Sequence, residues 1–131
     1  MTGASSGATR IGSTAPQALE FFAGIGLARL GLEEAGFHVA WSNDIDHAKC
    51  QMYRNQFGNN EQEHTLIEGD MGELHGSDLP HDISIAWGSS PCTDISLAGT
   101  RTGLNGKQSS AFWQYIRLLE EMGNNRPPVA V

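Results

Sequence analysis

Two cysteines, five prolines, eight basic residues and no long apolar run set the first limits on this 131-residue chain. Cys50 and Cys92 form neither a CxxC pair nor a metal-ligand spacing, so neither a disulfide framework nor a bound metal is expected. No stretch approaches the apolar length that crosses a bilayer, and Met1 to Ser13 is small and polar, without the apolar segment of a secretory signal. The expectation is a cytoplasmic protein with no membrane partner. Eight basic against fifteen acidic residues give a net charge of −7, which excludes a broad basic surface as the source of any affinity for nucleic acid. The deficit is uneven. Residues 1–90 hold four basic and twelve acidic side chains, a balance of −8, whereas residues 91–131 hold four basic and three acidic ones, a balance of +1. If a polyanion is approached, the second stretch faces it.

What is present fits one globular domain: 39% of residues are hydrophobic and 18% charged. Residues 1–16 mix Gly, Ser, Thr and Ala without apolar periodicity and read as a flexible N-terminal tail. From Gln17 short apolar runs alternate with amphipathic stretches, the pattern of βα units around a mostly parallel sheet. The spacing predicts a strand over Ala18 to Phe22, a glycine turn, and a helix to Gly36 with Leu27, Leu30 and Ala35 on its apolar face. A second strand over Phe37 to Ser42 leads to a helix from Asp46 to Phe57, with Met52, Tyr53 and Phe57 facing inward. Strands are predicted at Thr65 to Glu68 and Asp82 to Ala86, and a helix at Ser109 to Met122 carrying Phe112, Ile116 and Leu119 inward. Val129 to Val131 reads as the start of a fifth strand.

Three groups of residues carry chemistry. Phe22-Ala23-Gly24-Ile25-Gly26 lies between a strand and a helix, where glycines let the backbone approach a ligand at the helix N-terminus. A nicotinamide dinucleotide is disfavoured, because Arg29 stands where that fingerprint needs a third small residue. Asp44 follows the first glycine by about 20 residues at the end of the second strand, where a carboxylate accepts hydrogen bonds from ribose hydroxyls. Asp70 ends the third strand. The alternative use of Asp44 is as a helix cap, a task equally open to Asp46. Finally, Ser90-Pro91-Cys92-Thr93 opens a long Gly, Ser and Thr-rich segment, and an accessible thiol beside a strand end is a candidate nucleophile. Cys50, inside a predicted helix, reads as a small buried hydrophobe.

Leu19 to Gly26, Ser42-Asn43-Asp44-Ile45-Asp46 and Pro91-Cys92, in that order and spacing, resemble the early motifs of the 5-cytosine DNA methyltransferases, with a Phe112-Trp113 helix start in agreement. The resemblance runs from Gln17 to Val131. It implies a Rossmann-like S-adenosylmethionine-dependent methyltransferase fold with a mostly parallel sheet, here the N-terminal, incomplete part of a catalytic domain. It also implies S-adenosyl-L-methionine as cofactor. Phe22, Ala23, Gly24, Ile25 and Gly26 would surround its methionine part, Asp44 the ribose, Ile45 and Met71 the adenine faces, Asp70 the adenine amine, and Pro91 the methyl donor. Cys92 would be the catalytic nucleophile toward C6 of a flipped cytosine in double-stranded DNA, with Ser96 and Arg101 on the substrate side of the loop.

Two departures stand out: Thr93 where family members usually have Gln, and Gln108 where an Arg usually precedes the Phe112 helix. The family's Glu-Asn-Val motif, later arginine motif and target-recognition region have no counterpart in these 131 residues, so the chain alone is expected to turn over negligibly. The missing motifs leave two expectations open. One is half of an enzyme, either a truncated reading frame or one subunit of a split methyltransferase completed by a second chain; the other is a non-catalytic S-adenosylmethionine-binding or assembly module. RNA in place of DNA also stays open.

Overall fold

A computed structural model describes residues 15–89 and 107–131, with the backbone alone for residues 107–110. Five strands form one parallel sheet: β1 (Gln17–Phe21), β2 (His38–Asp44), β3 (Thr65–Glu68), β4 (Ile85–Gly88) and β5 (Val129–Ala130). The α-helices among the described residues are α1 (Leu27–Glu34), α2 (His47–Phe57) and α3 (Lys107–Glu121). Strand order is β3-β2-β1-β4-β5, so the chain winds outward from β1 in one direction and then returns to continue on its other side. The order reverses between β1 and β4, and the carboxyl ends of strands at such a reversal form the crevice where open α/β sheets bind ligands.

The two faces of β1 receive different contents because successive side chains alternate. Leu19 and Phe21 join Trp41, Met71, Ala86, Tyr115, Leu118 and Met122 in the larger core cluster, beneath α3. Ala18 points the other way, to Val39 and Leu32. On β2 the alternation slips: Gln17 and Ala18 pair with His38 and Val39, but Leu19 pairs with Trp41, leaving Ala40 as an extra residue. This bulge puts Val39 and Trp41, two residues apart, into the clusters on opposite faces.

Most expected elements are present, with shifted edges and rotated faces. The first helix ends at Glu34 and the second strand begins at His38. Asp82 does not start the fourth strand: it sits in a left-handed conformation at φ 61°, and pairing with β1 begins at Ile85. On α1, Leu27 and Leu30 are exposed and Leu32 is the buried residue, because the helix covers only the small patch of Ala18 and Val39. On α2, Met52 is exposed while Cys50 and Tyr53 are buried. On α3, Tyr115, Leu118 and Leu119 make the buried stripe, which Met122 extends just past the helix end, with Phe112 and Ile116 at its margin. All but Ala15 and Pro16 of the expected tail lies outside the described residues; the Pro16 carbonyl accepts the His38 N–H at 2.8 Å. No helix among the described residues is long and apolar enough to cross a membrane.

Candidate functional site

A cleft of about 380 Å³ opens at the carboxyl ends of β1, β2 and β3. Phe22 and Gly24 form one wall, Asp44 and Ile45 the floor beyond β2, and Asp70 and Met71 the wall beyond β3. Six of the residues named from sequence therefore share one cavity. A second cleft of about 320 Å³ adjoins it, sharing Phe22, Gly24, Lys49 and Ser89 and adding Ala23, Ile25, Leu27 and Ala28.

The turn between β1 and α1 needs unusual backbone conformations. Phe22, Gly24 and Gly26 have φ of 56°, 57° and 94°, in the left-handed region that favours glycine and strains a phenylalanine. Gly26 lines neither cleft. It sits at the N-cap of α1, and a Cβ there would run into the rings of Phe57 and Tyr53. Gly26 thus serves close packing beneath the turn.

Asp44 connects the two motifs. One carboxylate oxygen accepts the Gly24 N–H at 2.8 Å and the other the Asp46 N–H at 2.8 Å, which holds the glycine turn against the end of β2. Each oxygen keeps lone-pair capacity for a hydroxyl. Asp46 is the cap of α2, accepting the Lys49 N–H at 3.0 Å, so Asp44 is left to the cleft. Asp70 accepts the Gly72 N–H at 2.8 Å and starts a short 3-10 turn over Met71–Glu73. Ile45 is 67% exposed and Met71 only 6%, so an aromatic ring lying between them would cover the first and touch the rim of the core at the second.

Several contributors had no clear sequence signal. The Asn43 amide donates to the carbonyls of Ile67 at 2.7 Å and Gly69 at 3.1 Å, fixing the segment that carries Asp70. Lys49, from the first turn of α2, is the one cation lining either cleft among the described residues. Arg117 of α3 donates to the carbonyls of Met71 at 2.9 Å and Leu74 at 3.0 Å, holding the far wall. Glu20 does carry a signal, a charge in the middle of the apolar run Ala18 to Phe22, and it is fully buried.

Pro91, Cys92, Ser96 and Arg101 lie outside the described residues; Ser89, which lines both clefts, is the last described residue before them. Cys50 is buried in α2, its thiol donating to the Asp44 carbonyl at 3.6 Å, and burial pushes it up to about 11, far from nucleophilic use.

The family model of the C-5 cytosine-specific DNA methylases matches residues 17–128. The Type II methyltransferase M.NgoFVII of Neisseria gonorrhoeae is 30% identical over 109 residues, covering 82% of this chain and 28% of that protein. M.Eco47II of Escherichia coli is 30% identical over 114 residues, covering 87% of this chain and 26% of that one. The chain thus spans little more than a quarter of the length of these relatives. Among solved structures, the S. pombe Dnmt2 methyltransferase matches with a TM-score of 0.64 at 20% identity, over 88% of this chain and 36% of that one. The glycopeptide N-methyltransferase MtfA complexed with S-adenosyl-L-methionine matches with a TM-score of 0.51 at 19% identity, over 92% and 48%. These likenesses establish the Rossmann-like methyltransferase fold. By the match of the family model over residues 17–128, the chain belongs to the C-5 cytosine-specific DNA methylase family.

Proposed function

We propose that this chain binds S-adenosyl-L-methionine in the cleft between the Phe22–Gly26 turn, Asp44 and Asp70, and carries the nucleophile of a cytosine-5 DNA methyltransferase in Cys92. One observation carries the reading. Asp44 grips the Gly24 N–H and keeps free lone pairs at the mouth of the cleft, where a ribose would be recognised. The residues fit the cofactor in kind: a hydroxyl-accepting carboxylate, apolar surface from Ile45 and Met71 for a flat base, and Asp70 to accept from its amine.

Bound there, the cofactor supplies an electrophilic methyl group. The chain's task is to make cytosine reactive toward it. The Cys92 thiolate adds to C6 of the base, which converts C5 into an enamine carbon able to take the methyl. Loss of the C5 proton then expels the thiolate and restores the aromatic ring. The base must leave the duplex to be reached, and Ser96 and Arg101, which follow Cys92 in the sequence, are assigned to the substrate side.

The relatives carry roughly three times this length, and the groups that protonate and read the base are assigned to sequence corresponding to their remainder, in a longer chain or a second one. Membership of the family supports DNA as the substrate class, and the proposed form is double-stranded. Calorimetric titration with S-adenosyl-L-methionine tests the cofactor site: the unaltered chain binds, and Asp44→Ala weakens binding by about tenfold to a hundredfold. No binding by the unaltered chain would overturn the reading. Labelled-methyl transfer to duplex DNA and to RNA, with and without a co-purifying chain, then separates a catalytic unit from a cofactor-binding module.

A further inference from the structure

Glu20 stands in the central strand with no solvent exposure. One carboxylate oxygen accepts the hydroxyls of Ser42 and Tyr53, each at 2.7 Å, and the other accepts the Arg29 N–H at 3.0 Å. That last bond lies in the first turn of α1, whose own N-cap, Gly26, provides no side-chain acceptor. The helix that follows the glycine turn is therefore capped from inside the sheet. The Ser42 and Tyr53 oxygens are 2.8 Å apart, and His64 Nε2 lies 2.8 Å from the first and 3.2 Å from the second. With both hydroxyl protons directed at Glu20, Nε2 must carry a hydrogen and donate it, which fixes the imidazole tautomer. The network joins α1, β1, β2, α2 and the segment entering β3, while none of Glu20, Ser42, Tyr53 and His64 lines either cleft. Tyr53 also presses on the turn directly: it is one of the two rings that a side chain at Gly26 would strike, and Arg29 lies over the other, Phe57, at 4.2 Å.

A buried carboxylate is not needed for packing, since an apolar residue of similar volume serves a core at least as well. We propose that Glu20 is a positioning residue for the cofactor, holding the Gly24–Gly26 turn in its binding conformation through Arg29 and Tyr53. The inference rests on the cofactor reading above. Replacement by Gln keeps the shape but turns one oxygen into an N–H donor, which must face either the Arg29 N–H or the two hydroxyls, so one end of the network opens.

The test measures S-adenosyl-L-methionine affinity by calorimetry and amide hydrogen exchange of the cofactor-free chain, for the unaltered protein, Glu20→Gln, Tyr53→Phe and Asp44→Ala. Expected are an affinity loss of about tenfold for E20Q and about threefold for Y53F. In both variants exchange is faster at Arg29 and Gly26. Asp44→Ala loses affinity while Arg29 exchange stays as it was, which separates the two routes to the turn. Unchanged affinity in E20Q, or a loss matched by the fraction unfolded, overturns the inference and leaves the cofactor reading standing. If E20Q does not fold, Y53F decides, and unchanged affinity there overturns it. No binding by the unaltered chain overturns the cofactor reading, and this inference with it.

Discussion

One face of the sheet packs Phe21 between Trp41 and Tyr115, with ring centroids 5.1 and 4.8 Å away, under Leu118 and Leu119 of α3 and Met122 just beyond it. The opposite face buries Glu20 and Ser42 under Tyr53 and His64, beside a patch of only three buried apolar residues. Both lie behind the same cleft. The first face gains its stability from apolar area removed from water, which tolerates a change of shape better than a change of polarity. The second depends on every donor finding its acceptor, because a buried polar group left unpaired costs more than a satisfied one contributes. The asymmetry reflects what each face does: one anchors the sheet, and the other sets the conformation of the glycine turn.

The sharpest test of that contrast is on the apolar face. Phe21→Ala should lower unfolding free energy by about 3–5 kcal/mol in denaturant titration, because two aromatic neighbours lose their common partner. Ser42→Ala, on the polar face, should cost about 1–3 kcal/mol although it removes a single atom, since Glu20 loses a donor and His64 an acceptor. A cost near zero would show that the carboxylate does not depend on its hydroxyls.

Acid sharpens the comparison next. Burial holds the His64 imidazole down at about 4, so it stays neutral in the fold while the unfolded chain takes up a proton near pH 6.5. Stability from this group is therefore lost as pH falls from about 6.5 to about 4. Glu20 acts in the opposite sense: burial raises its carboxyl, so the fold takes up that proton more readily than the unfolded chain, and its contribution to stability grows as pH falls toward the ordinary carboxylate range. His64→Gln keeps a donor but cannot titrate. Its Tm should hold up better than that of the unaltered protein between pH 6.5 and 4; parallel curves would count against a buried neutral imidazole. The smallest effect is expected at the surface, where Glu68 bridges His47 and Arg54. Glu68→Gln should leave Tm unchanged, as exposed ion pairs contribute little.

Much of the scaffold was legible because βα units punctuate themselves: Gly24, Gly26, Gly36 and Gly58 end or open elements, and all four have positive φ. Asp44 and Asp70 were legible for the same reason, each closing an apolar run. The helix faces were not. Leu27 and Leu30 carry the obvious hydrophobicity of α1, yet its buried residue is Leu32, since the partner surface decides which side of a short helix is covered. Met52 and Tyr53 are adjacent and therefore about 100° apart around α2, so both cannot face the core: Tyr53 is buried as expected, bonded to Glu20, and Met52 is turned out. Asn43 lies inside the Ser42–Asp46 motif, but its bond to a carbonyl 24 residues away is not visible there, and Arg117, which acts on a carbonyl 46 residues away, lies in no motif.

The extra residue at Ala40 also constrains how this strand can change. Without it, Ser42 would turn to the face that holds Trp41, and Glu20 would meet no hydroxyl from β2. An insertion or deletion of one residue between His38 and Ser42 therefore exchanges the two faces for everything downstream in the strand, whereas a change of two preserves them. Length variation in β2 should be tolerated only in even steps, so parity, more than residue identity, is what descent must keep there.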